Sequence, residues 1–200
     1  WTFETGLNSV TVPAVVDGVV YFGSNDGRLY AVEEETGDEL WSYDAGGSVS
    51  SSPAVVDGAV YFGSNSFDVY ALDAANGDEL WDEPFETDNW VTSSPAVSRV
   101  SQASSDGTVY VGSYDNSLYA IDAGTGDELW SYDSGDRILT SPAVASGHVY
   151  ITSNDGVLHA VDTVNGTAKG SFETEGPSPT SPVVADGNVY VANGLKLYAL

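Results

Sequence analysis

Short apolar runs separated by glycine-containing turns recur along the whole chain. Runs such as Val19-Val20-Tyr21-Phe22 and Leu29-Tyr30-Ala31-Val32 are rich in β-branched and aromatic side chains, and each ends at a polar turn. Such runs are typical of β-strands joined by tight hairpins. The pattern therefore predicts strands throughout, and no segment shows the period of a helix.

The runs form a repeat of about 40 residues. Each copy opens with Ser-Pro-(Ala/Val)-Val, except that Val12 replaces the serine of the first copy. The prolines are spaced 40, 42, 47 and 40 residues apart: Pro13, Pro53, Pro95, Pro142 and Pro182. Three turn signals divide each copy into four strands, beginning with a two-residue hairpin turn such as Asp57-Gly58. Four antiparallel strands per unit predict the blade of a β-propeller. A parallel β-helix is the alternative, but its coils are shorter and lack three tight hairpins each.

The two ends of the chain have complementary positions in the repeat. Trp1-Thr2-Phe3-Glu4 matches the fourth strand of other copies, and the segment from Leu197 to Leu200 matches the third strand. We therefore predict one all-β domain, residues 1–200, with five blades. In this prediction residues 1–5 complete the blade formed by 181–200 and close a monomeric ring. The alternative is that the chain is a piece of a larger propeller.

The charge of the chain is strongly negative. Thirty Asp and Glu against five Lys and Arg give a formal net charge of −25. This argues against nucleic-acid partners, which need a basic surface. The composition suits concentrated salt, in which carboxylate repulsion is screened, and it predicts a halophilic source; an acidic surface for solubility or cation binding is the alternative. No apolar run is long enough to predict a membrane-spanning segment, and the absence of cysteine excludes disulfides and thiolate metal sites.

A longer motif carries a family resemblance. Ala71-Leu72-Asp73-Ala74-Ala75-Asn76-Gly77-Asp78-Glu79-Leu80-Trp81 recurs in related form before Trp41 and Trp130. It is similar to the tryptophan-docking motif of pyrroloquinoline quinone (PQQ)-type propeller repeats. That family includes quinoprotein alcohol dehydrogenases and non-enzymatic scaffolds, among them the lipoprotein of the bacterial outer-membrane assembly machinery. The fourth copy departs from the motif, because it ends at Ala168-Lys169-Gly170 and lacks the tryptophan.

The motif needs no ligand to explain its tryptophans. An indole wedged between neighbouring blades buries 150–250 Å², which corresponds to an upper bound of roughly 4–6 kcal/mol. We therefore interpret four tryptophans as structural docking residues: Trp1, Trp41, Trp81 and Trp130.

Candidate binding residues gather at one end of the predicted ring. The connections between blades (44–51, 86–93, 133–140 and 173–180) and the second hairpin turns are expected to meet there. The unusual residues of these segments form a hypothetical ligand or partner face: Trp90, Arg28, Arg137, Lys196, Tyr114 and Phe67. Arg28 and Lys196 occupy equivalent repeat positions and are expected to lie side by side in a closed ring. Ordinary loop variation with local salt bridges is the alternative.

Nothing in the sequence predicts a catalytic centre or a metal site. His148 and His159 stand at repeat positions and are interpreted as variants of the repeat. The cysteine pair expected of a quinoprotein dehydrogenase is absent. An insertion at 98–105 lies at the end opposite Trp90 and is either a partner contact or a tolerated loop.

These observations favour a non-enzymatic binding or scaffold propeller with protein partners and no cofactor. The alternative is an enzyme or sensor that binds PQQ or a similar anion at the channel mouth. By resemblance to exported family members we expect an extracytoplasmic or cell-surface location; the cytoplasm of a salt-accumulating halophile is the alternative.

Overall fold

Five antiparallel sheets follow one another along the chain in the computed structural model. It describes residues 1–8, 11–99, 107–177 and 179–200. Each sheet has consecutive strands as neighbours, so each is an up-and-down blade. The strands are β1 (Ala14–Val16), β2 (Val19–Gly23), β3 (Arg28–Glu33) and β4 (Glu39–Asp44) in blade 1; β5 (Ala54–Val56), β6 (Ala59–Gly63), β7 (Asp68–Asp73) and β8 (Phe85–Glu86) in blade 2; β9 (Ala96–Ser98), β10 (Thr108–Gly112), β11 (Ser117–Asp122) and β12 (Glu128–Asp133) in blade 3; β13 (Ala143–Ala145), β14 (His148–Thr152), β15 (Val157–Asp162) and β16 (Ala168–Glu173) in blade 4; and β17 (Val183–Ala185), β18 (Asn188–Asn193) and β19 (Lys196–Ala199) in blade 5. The all-β, five-bladed propeller predicted from the repeat is confirmed.

The first hairpin of each blade has the predicted turn chemistry. Asp57 and Gly58 have φ angles of 51° and 81°, and Asp17, Ser146 and Asp186 show the same left-handed geometry. Two consecutive residues with positive φ match the right-handed twist of the flanking strands. In the third blade Asp106 and most of the insertion at 98–105 lie outside the described residues.

The outer strand of blade 2 is shorter than its counterparts. Strand β8 contains only Phe85 and Glu86, with an isolated bridge from Glu79 to Leu72 of β7 before it, whereas six-residue strands fill this place in blades 1, 3 and 4. Pro84 lacks the N–H that a sheet hydrogen bond needs, and Phe85 lies four positions after Trp81, where Tyr43 lies two positions after Trp41. Phe85 nevertheless regains the register, because it faces Val69 as Tyr43 faces Leu29.

The core lies between blades and not within them. One face of each blade packs on the next, and buried residues such as Leu29, Val60, Val111, Ile121 and Ile151 are fully enclosed. A smaller cluster joins blades 4 and 5. The inner strands of successive blades are in contact in the order β1, β5, β9, β13 and β17.

Each docking tryptophan is bound to the blade that follows it. The indole Nε1 donates to a backbone carbonyl of that blade: Trp1 to Glu34 (2.8 Å), Trp41 to Ala74, Trp81 to Ala123 and Trp130 to Thr163 (each 3.1 Å). For Trp41, Trp81 and Trp130, a tyrosine hydroxyl from the tryptophan's own blade donates to the same carbonyl, as Tyr21 does to Ala74 O (3.0 Å). All four indoles are therefore hydrogen-bonded across a blade boundary, although Trp1 is 61% exposed.

The two ends of the chain do not meet as the sequence suggested. The fifth sheet has three strands, and residues 1–5 belong to no sheet. Phe3 packs instead on Phe22 and Tyr30 of blade 1, with ring centroids 5.7 and 5.2 Å apart. Residues 1–5 thus dock on blade 1 like the outer strand of a preceding blade, but they do not pair with β19. Among the described residues, no hydrophobic cluster joins blade 5 to blade 1.

Candidate functional site

The connections between blades and the second hairpin turns meet at one end of the fold. In each case the connection hydrogen-bonds both of the blades that it joins. Val91 N donates to Ser64 O of blade 2 (3.1 Å), and the carbonyl of the preceding residue, Trp90, accepts from Tyr114 N of blade 3 (3.0 Å). The same pair of bonds fixes the next connection, through Ile138 and Arg137. Side chains at these positions are therefore held at defined places along the rim.

Trp90 and Arg137 occupy equivalent positions in neighbouring connections. Their carbonyls accept from the first residue of the next turn, as do those of Asn8 and Ser48. The two other equivalent positions thus carry small polar side chains. Tyr114 is likewise the exception at its own position, where the other turns have Asn25, Asn65 and Asn154. Three large side chains have replaced small ones at adjoining positions of the repeat.

These three side chains form a contiguous row, which we call the aromatic ladder: Trp90, Tyr114 and Arg137. The Trp90 and Tyr114 rings meet edge to face with centroids 5.6 Å apart, and the Arg137 guanidinium carbon lies 5.6 Å from the Tyr114 centroid. Trp90 is 45% exposed. Edge-to-face packing and a cation over an aromatic ring are both attractive arrangements, so the row is ordered while remaining open to solvent.

A half-buried network centred on a carboxylate holds the turn beneath the ladder. Asp115 accepts hydrogen bonds from the Tyr119 hydroxyl (2.9 Å), from Ser117 N (2.8 Å) and from Asp88 N (3.1 Å) of the connection that carries Trp90. Burial, together with the bond to Asp115, raises the pKa of the Tyr119 hydroxyl far above its usual value, so that it stays a donor. The ladder therefore stands on a rigid base.

Phe67 marks the same end of blade 2. Its φ angle is 84°, a left-handed conformation that the equivalent turns give to Gly27, Asn116 and Gly156. A bulky aromatic residue is strained in this region. Its carbonyl accepts from both N and Oγ1 of Thr87 (2.8 and 2.7 Å), in the connection that leads to Trp90. Phe67 is 39% exposed beside that connection.

Arg28 and Lys196 do not join the ladder. Arg28 donates to Ser42 Oγ (3.2 Å) and lies 3.9 Å from Asp44, both within blade 1. Lys196 pairs with Glu175 at 2.5 Å in the connection between blades 4 and 5. Each of these two cations therefore pairs with a carboxylate in its own surroundings, and their expected side-by-side placement stays a prediction. Of the six residues predicted for this face, the structure brings Trp90, Tyr114 and Arg137 into contact and places Phe67 near them.

Both histidines fit the repeat. His159 is buried where the four other blades have tyrosine; its Nε2 lies 3.1 Å from Ser153 Oγ and its Nδ1 lies 3.1 Å from the Tyr132 hydroxyl. Burial lowers the pKa of the His159 imidazole, although Asp155 opposes the shift. His148 contacts the Ser146 carbonyl and the Tyr150 ring in its own hairpin. Neither histidine reaches the ladder.

A groove of about 750 Å³ lies at the opposite end, between blades 1 and 2. Exposed Leu40 and Leu80 and the ion pair of Arg99 with Asp57 (3.1 Å) line it. The groove is wide and shallow, and its cation is already neutralised, so it does not compete with the ladder as a recognition site. Within the described ranges, no three acidic or histidine side chains converge as a metal site would require.

Comparison with known proteins agrees with this architecture. A family profile matches residues 1–103 and again 90–200, and its description is outer membrane protein assembly factor BamB. The chain belongs to this BamB family. A search of curated proteins finds no match for this BamB-family chain.

Solved structures show the same fold. BamB from Moraxella catarrhalis is 20% identical and superposes with a TM-score of 0.75, over 93% of this chain and 59% of that one. The computationally designed Ika8 protein is 21% identical (TM-score 0.74, 90% and 54% covered). The WD40 propeller domain of Doa1 is 19% identical (TM-score 0.69, 87% and 57% covered). The chain thus spans little more than half the length of the structures it matches. Its described part contains no helix with the length and apolar character needed to cross a bilayer.

Proposed function

We propose that this BamB-family chain is a non-enzymatic scaffold that binds a protein partner through the ladder and Phe67. The observation that carries the proposal is the clustering of exceptions: at repeat positions where the other described blades have Asn, Ser or Gly, the large side chains of Trp90, Tyr114, Arg137 and Phe67 occur together, and Trp90 and Phe67 are exposed. Exposed Trp, Tyr and Arg on a rigid base are the residues that dominate protein interfaces. The left-handed backbone of Phe67 at this place also fits a functional surface, because strained residues cluster at such sites.

Photo-crosslinking tests this face. p-Benzoylphenylalanine replaces Phe67 in one variant and Val164 in a control, since Val164 is similarly exposed (41%) but lies in a turn at the other end of blade 4. In an extract of the producing cells we expect discrete protein adducts from position 67 only, and their loss when Trp90→Ala is added. Equal adducts from both positions, or adducts that survive Trp90→Ala, would refute the proposed face.

We propose further that the chain works without PQQ. PQQ carries three carboxylates, whereas the ladder offers the single guanidinium of Arg137, and Asp88, Asp115 and Asp136 flank it in the sequence. The residues present therefore do not fit this cofactor. Titration with PQQ, followed by tryptophan fluorescence, should give no saturable quenching that differs between the wild type and Trp90→Phe. Saturable quenching that weakens in Trp90→Phe would favour the cofactor-binding alternative.

We also propose an extracytoplasmic location, supported by the description of the family as an outer membrane assembly factor. The same location fits a role in assembling other proteins at a membrane surface. Fractionation of the producing cells should recover the protein outside the cytoplasmic fraction, with a cytoplasmic enzyme as the control for leakage.

A further inference from the structure

The basic residues of this protein are almost all neutralised internally. The chain has five of them among thirty acidic residues. Four have a carboxylate within 4.0 Å: Arg28 with Asp44, Arg99 with Asp57, Lys169 with Asp162, and Lys196 with Glu175. Arg137 is the exception, since its guanidinium has no carboxylate within that distance in the described part of the chain. A cation left without an anion in so acidic a protein is an unusual arrangement.

The contacts of Arg137 explain why its guanidinium is not paired with the neighbouring Asp136 carboxylate. Its backbone N donates to Asp136 Oδ1 (2.8 Å), which engages that carboxylate with the main chain. Its guanidinium lies over Tyr114 instead, at 5.6 Å from the ring centroid. A guanidinium over an aromatic ring is attracted by the ring face without using its N–H groups in an ion pair, so they remain available as donors. Arg137 is exposed, and its cation is therefore open to solvent beside Tyr114.

We propose that Arg137 binds a single carboxylate of the partner, and that Trp90 beside it takes an apolar side chain of the same segment. This inference rests on the proposed function and names the chemistry of the partner. Guanidinium and carboxylate match geometrically as a bidentate pair, and the ladder places an exposed indole one ring away from the cation. The occupant is therefore an exposed protein segment in which Glu or Asp adjoins an aromatic or large aliphatic residue.

The acidic surroundings narrow the choice of ligand. Asp88, Asp115 and Asp136 adjoin the three ladder residues in the sequence, and like charges repel within a Debye length of about 10 Å in dilute salt. One carboxylate in contact with Arg137 is compensated, whereas each additional anion meets only repulsion. A segment with one acid is thus preferred to a polyacidic segment, and this distinguishes the site from a general anion-binding surface.

Capped dipeptides test the inference directly. The probes are N-acetyl-Phe-Glu-amide and its Phe-Gln and Phe-Lys counterparts, titrated against labelled protein while the Trp90 indole and Arg137 Nε–H resonances are followed by NMR. We expect the Glu peptide to bind up to about fivefold more tightly than the Gln peptide, the size of an ion pair at an exposed site. Arg137→Gln should abolish this difference. Arg28→Gln, which removes a cation already paired with Asp44, should retain it.

The outcomes separate this inference from the proposed function. Equal affinity for the Glu and Gln peptides, tighter binding of the Lys peptide, or no shift of the Arg137 resonance with any peptide would overturn the carboxylate assignment. The photo-crosslinks from position 67 would still stand in each of these cases, because they require only a partner at the ladder. If Trp90→Ala abolished neither the peptide shifts nor the crosslinks, the proposed face itself would be wrong.

Discussion

Phe67 shows at the scale of one residue how this fold departs from its own repeat. The turn requires a left-handed residue, and the other turns supply glycine or asparagine. A non-glycine residue in this region costs about 1–2 kcal/mol, and the Phe67 side chain remains 39% exposed. The strain is therefore a reason to connect Phe67 with binding and not with folding.

We expect Phe67→Asn to raise the free energy of unfolding by about 1 kcal/mol, because asparagine tolerates positive φ. Chemical denaturation measures the change, and the reverse substitution Asn116→Phe, at the equivalent position with φ of 81°, should lower stability by a similar amount. The same Phe67→Asn variant should bind the partner less well. A loss of stability on Phe67→Asn would show that the side chain contributes to the fold.

His159 gives the protein a pH-dependent stability. Its folded-state pKa is lowered by burial from 6.5, so the unfolded chain takes up a proton at higher pH than the folded protein does. This contribution is fully present above pH 6.5 and is lost as the pH falls below 6.5 toward the folded-state pKa. Thermal unfolding should therefore show a falling melting temperature on acidification in this window.

His159→Tyr restores the residue of the equivalent positions, such as Tyr119, and should flatten that slope. His148→Gln is the matched control, because it removes a histidine whose contacts stay within its own hairpin, and it should leave the slope unchanged. An identical pH profile for wild type and His159→Tyr would contradict the assignment.

At the scale of elements, blades are joined by an indole stacked on the glycine of the next blade. A Cβ added at Gly77 would lie 2.8 Å from Trp41 Cε3, and one added at Gly126 would lie 2.8 Å from Trp81 Cδ2. These glycines also have positive φ, 77° and 82°. The glycine is thus needed twice, once for the backbone and once for the close approach of the ring.

Two alanine substitutions separate the cost of a positive φ from the cost of a clash with the indole. Gly58→Ala meets no atom within 4 Å but keeps a φ of 81°, so it should cost only the backbone strain of about 1–2 kcal/mol. Gly77→Ala adds a clash with Trp41 and should cost about 1–3 kcal/mol more, measured by denaturation. Equal losses in the two variants would mean that the indole moves aside freely.

At the scale of the whole molecule, the net charge of −25 predicts that stability depends on the salt concentration. Carboxylates repel across the surface in dilute buffer, and the Debye length falls from about 10 Å at 0.1 M salt to about 3 Å at 1 M. We expect the melting temperature to rise with potassium chloride over this range. A melting temperature that is independent of salt would remove the support for a halophilic source.

The edge of β19 is a second feature of the whole molecule. It has one strand partner, β18, and the adjoining face exposes Val183 and Leu197 (60% and 71%). Residues 1–5 have the sequence of the outer strand that such an edge accepts, with Phe3 at the place of Tyr43. In the established register the residue equivalent to Leu197 faces this aromatic position, as Leu29 faces Tyr43.

We expect Phe3→Cys combined with Leu197→Cys to form a disulfide between two copies under oxidising conditions, since no core cluster joins the ends of one molecule. The wild type has no cysteine that would interfere. Non-reducing electrophoresis separates the outcomes, and Phe3→Cys with Leu195→Cys is the out-of-register control. A disulfide within one molecule would instead establish the closed ring predicted from the sequence. If no disulfide forms, the β19 edge pairs neither with residues 1–5 of the same molecule nor with those of another copy.

The sequence by itself determined the strands, the turns and the docking tryptophans. Each of these depends on local backbone preference or on a contact between adjacent units, and the repeat contains the same preferences several times over. Trp90 and Arg137 could also have been found at equivalent positions by aligning the connections through Val91 and Ile138, which precede the next Ser-Pro segments.

Only the tertiary structure decided which exceptions to the repeat belong together. Tyr114 lies between Trp90 and Arg137 because a connection bonds to the turn of the following blade, whereas Arg28 and Lys196 each pair with a carboxylate in their own surroundings. Closure of the ring was also beyond the sequence, because it depends on the angles between all the blades added together. A repeat specifies each blade interface, but small differences among the interfaces decide whether the first and last blades meet.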